Sequence, residues 1–92
     1  MSNKLDGSKV LVLGGAGFIG GFVVKELLKE NPSELIIYDN FARGKMENIY
    51  DSLKDERCYL YPNGGDIRDI DILKDAMKDV DYVFHLAAMW LL

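Results

Sequence analysis

The chain has 92 residues, 49% of them hydrophobic, and a formal net charge of -4. That length allows one domain, a small sheet with helices on it, and excludes a cofactor domain joined to a separate substrate domain. An acidic chain with no block of like charge leaves no footprint for nucleic acid and no electrostatic membrane anchor, so neither partner is expected.

One cysteine, Cys58, rules out an internal disulfide, and a reducing, cytoplasmic setting is the expectation. The start, Met1-Ser2-Asn3-Lys4-Leu5-Asp6, lacks the apolar core of a signal peptide. No apolar run approaches the ~20 residues needed to span a bilayer.

Val10-Leu11-Val12-Leu13 is a short apolar run that ends in glycines. It reads as a strand buried on both faces. From Phe18 to Glu30 the period changes to that of a helix. Ile19, Val23 and Leu27 are expected on its core face, with Val24 and Leu28 beside them, and Asn31-Pro32 ends it. Leu35-Ile36-Ile37-Tyr38 is the second predicted strand. Ala42 to Asp55 is polar and is expected to hold a short helix. Cys58-Tyr59-Leu60-Tyr61 is the third strand, closed by Pro62-Asn63-Gly64-Gly65. Asp69 can cap a helix whose Ile70, Leu73, Met77 and Val80 share one face. Tyr82-Val83-Phe84-His85-Leu86 is the fourth strand.

Strands alternating with helices predict an α/β fold. The order corresponds to the first half of a Rossmann-type, doubly wound parallel sheet. The expected strand order is 3-2-1-4, with a ligand crevice between strands one and four.

The informative stretch is Gly14-Gly15-Ala16-Gly17-Phe18-Ile19-Gly20, between the first strand and the first helix. A diphosphate placed there meets unpaired backbone N–H groups and the positive end of the helix dipole. Gly14 or Gly15 makes the turn, Gly17 lets the backbone approach the pyrophosphate, and Gly20 lets the helix lie close to the strand. Gly21 adds one more glycine inside the helix, at a cost of up to ~1 kcal/mol relative to alanine.

Asp39 follows the second strand, where a carboxylate can accept hydrogen bonds from the ribose hydroxyls of an adenosine. Against a 2′-phosphate about 4 Å away, each pair of unit charges repels by roughly 1 to 4 kcal/mol. NAD is therefore expected over NADP, with Arg43 as the group that could favour the phosphate.

Four stretches in order carry a family resemblance: the glycine loop, Asp39-Asn40-Phe41-Ala42-Arg43-Gly44, Gly65-Asp66-Ile67-Arg68-Asp69, and His85-Leu86-Ala87-Ala88. Together they resemble the extended short-chain dehydrogenase/reductases, and more narrowly the NAD-dependent epimerase/dehydratase family of nucleotide-sugar enzymes. The resemblance covers about Lys9 to Ala88. It implies that residues 1–92 form the N-terminal part of an NAD-binding domain, without the substrate-binding and catalytic part.

It further implies that Phe18 and Ile19 offer backbone N–H groups to the diphosphate. Asn40, Ala42 and Gly44 would lie around the adenosine ribose, and Asp66 and Ile67 would meet the adenine. Leu86, Ala87 and Ala88 would line the crevice by the nicotinamide ribose. In such enzymes NAD takes hydride from a sugar carbon, which permits epimerisation, dehydration or decarboxylation. The sequence departs from the pattern in the long approach Tyr61-Pro62-Asn63-Gly64 and in the bulky Met89-Trp90-Leu91-Leu92.

The family's catalytic Tyr-x-x-x-Lys pair lies on a later helix. Tyr50-Asp51-Ser52-Leu53-Lys54 has that spacing but belongs to the adenosine end, so no catalytic residue is assigned. His85 reads as a strand-end ring and Cys58 as a small buried hydrophobe. One His and one Cys make no metal site.

Two other functions remain open at this level. One is a non-catalytic dinucleotide-binding module or sensor. The other is a reductase of a different small-molecule ketone in the same superfamily. An open edge on the fourth strand would favour self-association or a partner chain.

Overall fold

The structure is a computed structural model that describes residues 5–41, 44–62 and 64–86. Four strands form one parallel sheet: β1 (Lys9–Leu13), β2 (Glu34–Tyr38), β3 (Cys58–Leu60) and β4 (Tyr82–His85). Their spatial order is β3-β2-β1-β4, as the sequence predicts. β1 pairs on one side with β2, Leu11 opposite Ile36, and on the other with β4, Leu11 opposite Val83. Among the described residues no strand pairs with the outer edge of β4.

Between the strands lie helices α1 (Phe18–Leu28), α2 (Tyr50–Leu53) and α3 (Ile70–Ala76), with a 3-10 turn over Met46–Asn48. Successive strand residues face opposite ways, so β1 and β2 each feed two cores, while β3 and β4 add Cys58, Leu60 and Phe84 to the first. Val10, Val12, Leu35, Ile37 and Cys58 pack with Val24 and Leu27 of α1 and with Ile49. Leu11, Leu13, Ile36 and Tyr38 pack on the other face with Ala76 of α3, and Ile72, Leu73 and Val80 lean against them. Covering both faces makes continuous apolar strands stable, and Val10, Leu11 and Val12 are completely buried.

Two helices depart from the simple periodic expectation at single positions, Ile19 on α1 and Ile70 and Met77 on α3. On α1 the buried positions are Gly20, Gly21, Val24 and Leu27. Ile19, expected in the core, is 66% exposed. The spacing of Gly20, Val24 and Leu27 is still i, i+4, i+7, but it begins on a glycine. Val23, Val24, Leu27 and Leu28 pack on the first core as expected, and close backbone approach at the glycines sets the helix's first turn. Gly21 finds its reason in a second close approach, because a Cβ on it would stand 2.6 Å from the Asn48 carbonyl oxygen. The helix also stops at Leu28, two residues before Glu30, and Asn31 follows in the left-handed region at φ 60°. That is a common helix exit for asparagine.

On α3 the inward face is Ile72, Leu73 and Ala76, while Ile70 and Met77 point out at 56% and 41% exposure. The helix is shorter than its apolar pattern and closes at Ala76. β3 and β4 each end one residue earlier than expected. Even so, Tyr61 N–H donates to the Ile37 carbonyl and Leu86 N–H to that of Leu13, each at 2.8 Å.

Candidate dinucleotide-binding site

β1 runs straight into the glycine loop. Gly14 has φ 86°, a conformation that favours glycine, so it is the residue that makes the turn. Its N–H donates to the Tyr38 carbonyl at 2.8 Å, tying the loop to the end of β2. Gly20 lies directly over this turn: a Cβ there would stand 2.2 Å from the Gly14 oxygen and 3.0 Å from Gly15 Cα. The first turn of α1 therefore rests on the loop as the sequence requires.

Gly17 is different. A Cβ on it would meet only the Gly14 oxygen, at an ordinary 3.5 Å. It sits at the N-cap of α1 with extended backbone. No side chain caps the helix there, and no acid lies in its first turn. Phe18 and Ile19 follow, both about two-thirds exposed, and the Phe18 ring meets that of Phe22 edge-on, centroids 5.2 Å apart.

Asp39 lies beside this loop at the end of β2. Its Oδ2 accepts from Ala16 N–H at 3.0 Å, and its Oδ1 accepts from Phe41 N–H at 2.7 Å. This bracing role is not visible in the sequence, which shows Asp39 only as a ribose acceptor. An ionised carboxylate offers about four lone-pair sites, so these two bonds leave capacity for a ligand. Gly44 backs onto Asp39, since a Cβ there would lie 3.0 Å from its carboxylate oxygens. Asn40 is exposed next to it. Ala42 and Arg43 lie outside the described residues.

Gly65 brings the third motif to the same place. A Cβ on Gly65 would overlap the Asp39 carbonyl, with the oxygen 2.0 Å away. The Tyr38 hydroxyl donates to the Asp66 carbonyl at 3.1 Å. The longer approach through Tyr61-Pro62-Asn63-Gly64 thus still delivers Gly65-Asp66 to the end of β2. Asp66 is held by a residue that the sequence reading assigned no role. Its carboxylate accepts from Arg68 N at 2.9 Å, Nε at 3.0 Å and Nη2 at 2.7 Å. These side-chain and backbone hydrogen bonds lower its pKa to about 2. The i, i+2 spacing of an acid and an arginine was the available signal. Ile67 is half-buried against the second core.

On the other flank of β1, His85 pairs with Leu13 and the exposed Leu86 follows it. The last described residue of β4's run therefore stands at the mouth of the glycine loop. Ala87, Ala88 and the bulky Met89-Trp90-Leu91-Leu92 lie outside the described residues.

The remaining candidates fall elsewhere. Tyr50 opens α2 exposed, α2 packs against α1 and β3, and Lys54 Nζ pairs with Asp51 at 3.5 Å. Cys58 is buried as a free thiol whose pKa burial pushes up to about 11. An open groove of about 330 Å³ runs between α1 and α2, lined by Lys25, Glu26, Lys29, Asp51 and Asp55 among others. Two of its charges answer each other, Lys29 and Glu26 at 3.2 Å. Among the described residues no helix is long and apolar enough to cross a membrane.

Known proteins resemble this chain in sequence and fold. The model of a family described as "Polysaccharide biosynthesis protein" matches residues 10–91. An uncharacterized membrane protein of Methanocaldococcus jannaschii is 42% identical over 91 residues, which is 97% of this chain and 26% of that protein. An inverting UDP-N-acetylglucosamine 4,6-dehydratase of Campylobacter jejuni is 39% identical over 87 residues, 91% of this chain and 25% of the enzyme. The Bordetella bronchiseptica enzyme WbmF, solved in complex with NADH, superimposes with a TM-score of 0.79 at 31% identity, covering 97% of this chain and 25% of that one. The chain spans about a quarter of the length of these relatives. By family match and by fold, it belongs to the polysaccharide biosynthesis protein family, whose relatives here include nucleotide-sugar dehydratases and epimerases.

Proposed function

We propose that this chain binds NAD across the carboxyl edge of its sheet and is the cofactor-holding part of a nucleotide-sugar epimerase or dehydratase. The observation that carries the reading is the start of α1. Its N–H groups have no side-chain cap and no acid beside them. The glycine in front of them is one that the protein's own packing does not demand, because a Cβ on Gly17 would meet only the Gly14 oxygen, at an ordinary contact distance of 3.5 Å. Backbone donors left open behind a missing side chain fit a pyrophosphate.

The rest of the cofactor has places in order. Asp39 has acceptor capacity left for the adenosine ribose, with Asn40 and Gly44 beside it, and the family resemblance assigns Ala42 to the same ribose. Asp66 and Ile67 take the adenine side. Leu86, at the end of β4, takes the nicotinamide side across the β1–β4 crevice, to which the family resemblance also assigns Ala87 and Ala88. When bound, NAD supplies a reversible hydride acceptor for a sugar carbon. This chain's own part is to orient the cofactor. No general base is assigned within it, and the nucleotide-sugar substrate belongs to the whole enzyme.

Calorimetric titration with NAD and NADP, on wild type and Asp39→Ala, tests this. Wild type should prefer NAD by about fivefold or more, the repulsion expected between two charges about 4 Å apart. Asp39→Ala should weaken NAD and bring the two affinities together. Both cofactors share the diphosphate, so loosening of the glycine loop by the substitution cancels in their ratio. An unchanged ratio would sink the ribose role, and a wild type that binds neither cofactor would sink the reading itself.

A further inference from the structure

Ala16, completely buried in the middle of the glycine loop, is held from two directions. Its N–H donates to Asp39. Its carbonyl oxygen accepts from Lys45 N–H at 3.0 Å and from the Asn48 side-chain amide, Nδ2, at 2.9 Å. Both lone pairs of that oxygen are therefore engaged. A peptide unit is planar, so fixing the Ala16 oxygen also fixes the Gly17 N–H, which donates to Gly14 O at 3.2 Å. Gly17 in turn accepts from Gly21 N–H at 2.8 Å, the bond that starts α1.

Asn48 reaches α1 a second time, through its backbone. Its carbonyl oxygen occupies the space that a Gly21 side chain would need. One residue of the 3-10 turn thus clamps the loop with its side chain and the helix with its main chain. Its neighbours Met46 and Glu47 are exposed, so the clamp is a contact of Asn48 and not of a buried segment as a whole.

We infer that Asn48 is a positioning residue for the diphosphate half of the dinucleotide site. It orients the Ala16–Gly17 peptide, and with it the direction in which the open N–H groups of α1 face. The inference rests on the reading of this loop as a diphosphate cradle. It also means that the segment after β2, which approaches the adenosine ribose at Gly44, is mechanically joined to the phosphate loop.

The test uses Asn48→Ala and Asn48→Asp, the second having the same shape without the donor. Lys45 N–H still serves the Ala16 oxygen in both, so the fold should persist. Binding of ADP-ribose and of adenosine is measured calorimetrically, and amide hydrogen exchange is followed in the ligand-free protein. ADP-ribose should weaken roughly three- to tenfold, the worth of one hydrogen bond, with adenosine unchanged. Exchange should quicken at Ala16 and Gly17 and stay constant at Leu11 and Ile36. Equal weakening of both ligands, or unaltered exchange at Ala16 and Gly17, overturns the role. If wild type binds no ADP-ribose, the cofactor reading fails on its own account, and the exchange rates alone decide for or against the clamp.

Discussion

The helices α1 and α3 both begin at the carboxyl edge of the same parallel sheet, yet their N-termini are finished in opposite ways. α3 is closed by its own sequence. The Asp69 side chain accepts from Ile72 N–H at 3.3 Å, and Asp71 adds a second negative charge in the first turn. α1 begins on Gly17 with neither device. A helix end with its donors answered is a structural joint. An end left bare, beside a glycine that packing does not require, leaves donors that the proposed reading gives to a foreign anion. The pair shows that the absence of a cap is informative only when an equivalent helix in the same fold has one.

The largest expected effect tests the geometry beneath the open end. Gly20→Ala places a methyl 2.2 Å from a backbone oxygen that cannot step aside. It should cost about 3 kcal/mol of stability in urea unfolding, at the upper end for an overpacked site. A neutral result would mean that the helix does not rest on the loop as described.

Next comes the transplant of one helix end onto the other. Gly17→Asp gives α1 the kind of cap that α3 has. The extended backbone at Gly17, φ −69° and ψ 170°, already suits a capping residue. Stability should change by only a few tenths of a kcal/mol, since glycine is nearly as good a cap as aspartate. NAD affinity should fall by at least about thirtyfold, because a carboxylate would face the pyrophosphate at roughly 4 Å. Retained NAD binding in calorimetry would remove the distinction drawn between the two helices.

The smallest effect is on the closed end. Asp69→Ala should lower stability by about 1 kcal/mol through loss of the cap while leaving NAD affinity untouched. A change in NAD affinity without a change in stability would assign α3 to the ligand instead.

Much of this was legible along the chain. Short apolar runs separated by helical periods lead to parallel strands, and the doubly wound pattern then fixes their order. The glycine loop, Asp39 and Gly65 arrive where the motifs imply. The helix faces were less legible for a physical reason. Periodicity counts apolar side chains, but the first turn of α1 packs through Gly20 and Gly21, which have none, so the pattern puts Ile19 in the core when it lies outside. Helix α3 carries a similar excess of apolar residues: Leu73 and Val80 pack on the core as the period implies, while Ile70 and Met77 stay on the surface. The bonds of Asp39 to Ala16 and of Asn48 to Ala16 join residues 23 and 32 positions apart. Separations of that size carry no local signature, so only the folded chain reveals them.

The central strand has flanks of very unequal age. Its pairing with β2 closes a loop of about the length of one βαβ unit, whereas the bond from Lys9 N–H to the Asp81 carboxylate spans 72 positions. During synthesis, β1, α1 and β2 can assemble long before β4 leaves the ribosome, and closing the larger loop is entropically the more demanding step. The wall contributed by β4 therefore joins β1 later than β2 does, after the glycine loop is already held between β1 and β2.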